Sequence, residues 1–489
     1  MPLILAIDQG TTNSKALLID AAGAIVARAA ASVAIAYPRP GWVEQSATDI
    51  WESVVTVIAG CTAAATDTIA AIGISNQRES VLLWHRSTGA PIGPCVTWQC
   101  RRSTDRLAAL RTPAFAAEVA ATTGLGLDPL FPAAKLGWLL DAYPEARTLA
   151  AQGELCAGTV DSWLVYRLTG GKVHATDLGN ASRTQLLDLR ARDWSPSLTA
   201  AFGVPRTILP ELRPSDARFG ETVAVGGLPA GVPIHAVLGD SHAALFGHGI
   251  RAPGASKATY GTGSSLMALT DGPVASRHGL STTIAWQRGS HTAYALEGNI
   301  SVSAQAAAWC ANLLGLADAA TLTDLAMTVP DNGGVAFVPA LAGLGAPHWD
   351  AEARGLFCGL SLGTRPAHLA RATLEAIALQ VRDVFVAMEQ DAGHPMDALA
   401  VDGGATANDL LMQLQADLLQ RPVVRKAVAE LSAAGAATMA GAAIGLWGDA
   451  GPAPLAAIRD RLAPTADPQR RDAILAGWTA ALARTRLSP

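Results

Sequence analysis

Along this chain, apolar residues run unbroken in short bursts and then thin out into helical stripes. Leu3-Ile4-Leu5-Ala6-Ile7 is one burst and Ala16-Leu17-Leu18-Ile19 another, with Asp8-Gln9-Gly10-Thr11-Thr12-Asn13-Ser14-Lys15 between them. Short apolar runs bounded by turn residues mark buried strands, so a hairpin is predicted here. The second run stops in the turn Asp20-Ala21-Ala22-Gly23, whereas a Rossmann or Walker phosphate loop leads into a helix. The pattern recurs in the second half, where apolar and β-prone residues from Lys257 to Leu269 flank Gly261-Thr262-Gly263. Two such hairpins, one in each half, are what an internal duplication leaves. A third glycine turn, Asp402-Gly403-Gly404-Ala405, ends the run Leu399-Ala400-Val401 and precedes a helical stretch from Leu410 to Leu414.

Further strands are predicted over Ile69 to Ile74, Ile234 to Leu238, Thr292 to Leu296 and Gly334 to Val338. They alternate with amphipathic stretches such as Ile50 to Thr62 and Ala367 to Met388. Such alternation predicts a mixed α/β protein. The glycine- and proline-bearing segment His248 to Ala255 reads as a crossing between two domains, 1–250 and 251–489. The stretch from Ala433 to Trp447 reads as a buried helix. The tail from Pro452 to Pro489 reads as surface helix, with Asp460-Arg461 and Arg470-Arg471-Asp472 as solvated charge.

Composition narrows the possibilities. The chain has 489 residues and a net charge of −5, so it carries no basic footprint for nucleic acid. Mean hydropathy is +0.26, but alanine supplies much of it and no run reaches the roughly 20 strongly apolar residues of a membrane span. No charged leader or cleavage site precedes Leu3, and a cytoplasmic protein is expected. The 6 cysteines show no metal-ligand spacing and read as reduced thiols.

Several residues are placed to do chemistry. Gly10 lets the backbone approach a ligand, and the Thr11 and Thr12 hydroxyls can donate to phosphate oxygens. Asp8 would repel phosphate unless a hard cation such as Mg²⁺ lay between them. Arg78 and Glu79 follow a strand end, where open α/β sheets bind ligands; together they can read a vicinal diol, although a surface ion pair has the same sequence. Trp98 could lay its indole along a polyol. Asp240 ends the run Val237-Leu238-Gly239 and starts a helix, which suits a base accepting an alcohol proton; a helix N-cap would look the same.

Taken together these segments resemble the FGGY carbohydrate kinases, and within them the glycerol kinase branch. The resemblance runs through Asp8-Gln9-Gly10-Thr11-Thr12, Asn76-Gln77-Arg78-Glu79, Trp98-Gln99-Cys100-Arg101-Arg102, Gly158 to Leu164, Asn180 to Thr184, Gly239-Asp240, Gly261-Thr262-Gly263, Gly343 to Pro347 and Val401 to Ala405. It implies two actin-like, ribonuclease-H-like domains with an ATP and substrate cleft between them. It further implies that Thr11, Thr12, Asn13 and Lys15 hold the ATP phosphates, and that Thr262, Ala304, Ala308, Gly404 and Asn408 line the nucleotide. Asp8 and Asp240 would act on Mg²⁺ through water. Asp240 would be the base, with Arg78, Glu79, Trp98, Leu130, Ser241 and Ser265 around a small polyol or sugar. A homo-oligomer, dimer or tetramer, is also expected from the resemblance.

Departures from that branch cluster at the acceptor. Its members carry tyrosine where Leu130 stands, glutamine where Ser241 stands and phenylalanine where Ser265 stands, so that glycerol is the leading acceptor the resemblance implies and a four- or five-carbon polyol or ketose, suited to a roomier pocket, stands close behind. Ala304 and Ala308 replace a glycine and a glutamine near the adenosine, and the short Gly226 to Gly231 loop lacks the arginine-bearing insertion used elsewhere for sugar bisphosphate. Two other classes compete: an actin-like ATPase acting as chaperone or filament, and a nucleotide-binding regulator without catalysis. Arg78, Glu79 and Trp98 argue against the first, and Asp8 with Asp240 against the second.

Overall fold

The computed structural model describes residues 1–486. Two mixed sheets of the same design carry the molecule. In the first, the meander Leu3–Gln9, Asn13–Asp20 and Ile25–Ser32 is extended on its other side by the parallel strands Ile69–Asn76 and Pro233–Gly239, with Gly220–Glu221 at the edge. In the second, the meander is Ser256–Tyr260, Ser264–Thr270 and His291–Ile300, and the parallel strands are Leu399–Asp402 and Val423–Lys426. The duplicated hairpins of the sequence are therefore the first turns of two equivalent sheets.

The unbroken apolar run at the amino terminus follows from burial on both faces, the usual cause of such runs. Leu3, Leu5 and Ile7 face the helix Ala47–Thr62 through Ile50, Val54 and Ile58, whereas Ile4 and Ala6 face the other way. What covers that other face comes from the far end of the chain: the helix Leu431–Ala443, with Ala433, Ala436, Ala437 and Ala440 packed beside Ile4, Ala6 and Ala71. This helix crosses the helix Asp240–Gly247 at very short range. A Cβ at Gly435 would stand 1.8 Å from the Ala243 carbonyl oxygen, and one at Gly247 2.5 Å from that of Leu431. Similarly a Cβ at Gly73 would meet the Ala436 carbonyl oxygen at 2.4 Å. Small residues in the stretch from Ala433 serve this crossing.

Register sets the level at which the parallel strands end. Asp8 lies beside Ser75, and Ser75 beside Leu238, so the chain leaves the sheet at Gly10, Gln77 and Asp240 along one edge. A smaller sheet of Glu44–Gln45, Pro91–Val96, Val81–His85 and Leu155–Thr159, backed by helices between Thr104 and Gln152, builds out from that edge and carries Trp98 and Leu130.

The tail departs from the surface helix expected for it. Ile458–Leu462 adds an antiparallel edge strand to Val423–Lys426, and Asp460 takes a two-point ion pair from Arg425, Nε–Oδ1 2.7 Å and Nη2–Oδ2 2.8 Å. Arg461, Arg470 and Asp472 are the exposed charge that was expected, whereas Asp460 and Arg471 are half-buried. An edge strand needs hydrogen bonds from one neighbour and no buried face, so Ile458-Arg459-Asp460-Arg461-Leu462 shows no strand pattern. The following helix Pro468–Thr485 buries Trp478 and Ala481.

Overpacking a backbone contact typically costs about 1–3 kcal/mol, so Gly435→Ala should lower the melting temperature measured by calorimetry. Gly477→Ala, in a helix where a Cβ meets nothing within 4 Å, should leave it unchanged or raise it.

Candidate active site

The first hairpin closes when the Gly10 N–H donates to the Asn13 carbonyl at 2.9 Å, leaving Thr12, Asn13 and Lys15 exposed and Thr11 half-buried. Asp8 stands behind that turn and accepts from Ser75 Oγ at 2.8 Å. Burial pushes its pKa up to about 6, against the Ser75 hydrogen bond, and the Asp240 carboxylate adds to the rise. Two carboxylates in one cleft, one of them destabilised in its charged form, fit a hydrated magnesium ion between them and nucleotide phosphates.

Asp240 begins its helix but does not cap it: Gly239 holds the cap position and makes no side-chain capping bond. Instead Asp240 Oδ1 receives the Ser241 N–H at 2.6 Å and Arg78 Nε at 3.1 Å. Among the described residues Oδ2 has no hydrogen-bond partner, and the side chain keeps 39% of its exposure. Gly239 permits this arrangement, since a Cβ there would meet Arg78 Cγ and Cδ at 2.5 Å.

Arg78 and Glu79 are not the surface pair that their sequence allows, nor do they pair with each other. Glu79 has φ of 60°, a left-handed turn that sends the two side chains apart, and both are buried. Arg78 forks onto Glu297, Nη1–Oε2 3.0 Å and Nη2–Oε1 2.5 Å, while Glu79 Oε1 accepts from Arg183 Nε at 2.7 Å. Glu297 is fully buried; burial pushes its carboxyl upward, but Arg183 and Arg78 outweigh that and hold it well below the usual carboxylate range. Ser265 Oγ donates to Glu297 Oε1 at 3.2 Å, and Ser241 Oγ to Ser265 Oγ at 3.4 Å. Trp98 sits at the mouth, 36% exposed, with Nε1 donating to Thr11 Oγ1 at 3.0 Å. Leu130 is brought in by Lys135, whose buried ammonium donates to the carbonyls of Leu130 at 2.6 Å and Glu79 at 3.0 Å. Burial lowers that lysine to about 7.

Sequence reasoning thus missed Glu297, Arg183 and Lys135. Lys135 is a lone charge inside the apolar run Ala133 to Leu140, and that isolation was the signal available; Glu297, followed by Gly298-Asn299, and Arg183, among Asn180, Ser182, Thr184 and Gln185, carry no such local signal.

In the second sheet the second hairpin and the third glycine turn meet. Ala304 N–H donates to the Gly261 carbonyl at 3.1 Å, so Thr262 and the first turn of the helix Ala304–Leu313 adjoin, with Ala308 exposed one turn further along. Gly403 lies against Tyr260, whose carbonyl oxygen a Cβ would meet at 2.4 Å, and Gly404 beside it is exposed. Asn408 caps the helix Asp409–Leu419 through the Leu411 N–H and donates to Thr323 Oγ1 at 2.8 Å.

Known proteins fit this geometry. Family models for the N-terminal and C-terminal domains of the FGGY family of carbohydrate kinases match residues 3–247 and 256–444. The chain belongs to the FGGY family of carbohydrate kinases. It is 49% identical to an apulose kinase of Pectobacterium atrosepticum over 100% of this chain and 99% of that one. It is 48% identical to a glycerol kinase of Alkalilimnicola ehrlichii, covering 92% and 91%. A crystal structure of Plasmodium falciparum glycerol kinase with ADP superposes with a TM-score of 0.94 at 29% identity, covering 100% of this chain and 99% of that one. As an FGGY member it has the two-domain actin-like fold and is an ATP-dependent carbohydrate or polyol kinase. Among the described residues no helix is long and apolar enough to cross a membrane.

Asp8 supplies a pH test. Its pKa rises from 3.8 to about 6 on folding, so the native state binds the extra proton and stability falls as pH rises through that window. Asp8→Asn should therefore raise the melting temperature of metal- and nucleotide-free protein more at pH 8 than at pH 5. With Mg²⁺ and nucleotide the order should reverse: thermal stabilisation by the pair should weaken below about pH 6 in the parent and be small at every pH in Asp8→Asn.

Proposed function

We propose that this FGGY kinase transfers the γ-phosphoryl group of ATP, by direct in-line attack, to a primary hydroxyl of a polyol or ketose larger than glycerol, with four or five carbons. The observation that carries the size is the wall beside the base: two short hydroxyl side chains, Ser241 and Ser265, hydrogen-bonded to each other and to Glu297. Serine rather than phenylalanine or glutamine leaves room there and offers hydroxyls to a longer acceptor. The apulose kinase relative, whose name gives an acceptor other than glycerol, supports the same reading. Glycerol itself is a second reading, favoured by the glycerol kinase relatives.

In this reading Asp240 is the base. With Oδ1 engaged by Arg78 and Ser241, Oδ2 accepts the proton of the attacking hydroxyl, and the Arg78 N–H groups left over from Glu297 and Asp240 donate to acceptor oxygens. Glu79, fixed by Arg183, accepts from the neighbouring hydroxyl, and Trp98 covers the C–H edge. Thr11, Thr12, Asn13 and Lys15 hold the phosphates. Thr262, Ala304, Ala308, Gly404 and Asn408 line the nucleoside. Mg²⁺ held through water by Asp8 and Asp240 would neutralise phosphate charge. Closure of the halves, divided near Ile250, excludes water that would otherwise hydrolyse ATP. We take the enzyme to be cytoplasmic and homo-oligomeric.

Coupled ADP release measured across glycerol, erythritol, the pentitols, xylulose, ribulose, apulose and gluconate tests this. A four- or five-carbon acceptor should exceed glycerol in kcat/KM by about tenfold or more; glycerol as the best acceptor would refute the size argument. Asp240→Asn should lower kcat by about 10²–10⁴, and parental activity in that variant would remove it as base. Ser265→Phe should shift preference toward glycerol by about tenfold.

A further inference from the structure

Glu297 stands in the strand His291–Ile300, within the span of the C-terminal family domain, yet its partners Arg78 and Arg183 come from the N-terminal span. One carboxylate thereby contacts Arg78, Arg183 and Ser265. Through Arg78 it reaches the base, because the fork onto Glu297 fixes the guanidinium plane that turns Nε toward Asp240 Oδ1. Arg183 Nη1 lies 2.8 Å from Glu297 Oε2 while its Nε holds Glu79. Ser265, on the specificity wall, donates to Oε1. The angle at Arg183 Nη1 is poor, so that contact is chiefly electrostatic, and Nη2 finds no partner. His242, fully buried beside both arginines, is kept neutral by burial and by their charge. The pocket therefore holds two buried guanidinium charges against Glu79, Glu297 and Asp240, and among the described residues Glu297 is the carboxylate within salt-bridge distance of both.

We infer that Glu297 is the positioning residue of the acceptor site, which orients Arg78 against the base, Arg183 against Glu79 and Ser265 against the acceptor without itself touching the reacting atoms. This rests on the acceptor reading above. A buried ion pair adds little net stability compared with an apolar substitute, yet removing one partner strands the other; the geometry it imposes on Arg78 is the better account of its presence. Misplacing a substrate-orienting group by about 1 Å can cost about 10²-fold in rate.

The test uses Glu297→Gln and Glu297→Asp in the full chain, with steady-state kinetics on the best acceptor of the panel, equilibrium ATP binding and thermal melts. Positioning predicts a loss of about 100-fold in kcat for Glu297→Gln and about tenfold for Glu297→Asp. It also predicts a raised acceptor KM, an altered ranking of acceptors, and ATP affinity within about twofold of the parent. Folded variants that keep kcat, acceptor KM and ranking close to parental values overturn it. So does a parallel loss of ATP binding and turnover, which marks a purely structural role. If Glu297→Gln fails to fold, Glu297→Asp decides by the same criteria. A parent enzyme that releases no ADP in response to any acceptor would instead refute the acceptor reading, so the two failures are distinct.

Discussion

Two helices can bring their backbones into contact only where no Cβ intervenes, and the active site hangs on one such contact. Gly435 rests on the Ala243 carbonyl and Gly247 on that of Leu431, so the helix carrying Asp240 and the helix Leu431–Ala443 lie as close as polypeptide allows. The crossing is where the halves join, because Leu431–Ala443 belongs to the second half in sequence but covers the first sheet. Ser432 Oγ, at the start of that helix, donates to the Asp240 carbonyl at 3.1 Å. At the other end of the Asp240 helix, His248 meets Asp402 at 2.7 Å, beside the Gly403–Gly404 turn. One short helix thus spans from Asp240, the proposed base, to the Gly403–Gly404 turn. Side chains any larger at the crossing would separate those ends.

The second constraint is electrostatic. Arg78, Arg183, Glu79, Glu297 and Lys135 are all buried within one region, and each such charge carries a desolvation penalty of several kcal/mol that only close pairing offsets. Pairing them leaves little freedom, and even so Arg183 Nη2 finds no partner. Glu79 must adopt a positive φ so that its side chain reaches Arg183 while its carbonyl reaches Lys135. Leu130 is drawn in by the same lysine. The polar groups of the pocket are thus held by one another.

What could be read from the sequence follows from this division. Asp8, Gly10, Thr11 and Thr12 were visible because a glycine turn between two apolar strands is local, and its echo at Gly261-Thr262-Gly263 revealed the duplication. Asp240 was visible because an apolar strand delivered it. Glu297 and Arg183 were not, since their meaning lies in partners about a hundred residues or more away, and neither has a local pattern. The edge strand at Ile458–Leu462 escaped for a related reason: its stability comes from a neighbour's hydrogen bonds and from Arg425, not from its own alternation.

These constraints also explain how one scaffold can change acceptors without losing its chemistry. In the proposed reading Leu130, Ser241 and Ser265 line the acceptor pocket, but the groups that fix their segments lie elsewhere: Lys135 bonds the backbone of Leu130, and the Ser241 N–H bonds Asp240. Exchanging the side chain at 130 or 241 therefore leaves those anchoring bonds intact. Ser265 differs, because its hydroxyl is itself bonded to Glu297. A change there alters pocket size and, through Glu297, the hydrogen-bonding partners of Arg78. Of the three positions, 265 is the one at which specificity and positioning are physically coupled, and selection for a new acceptor at that position has to preserve the Arg78 geometry as well.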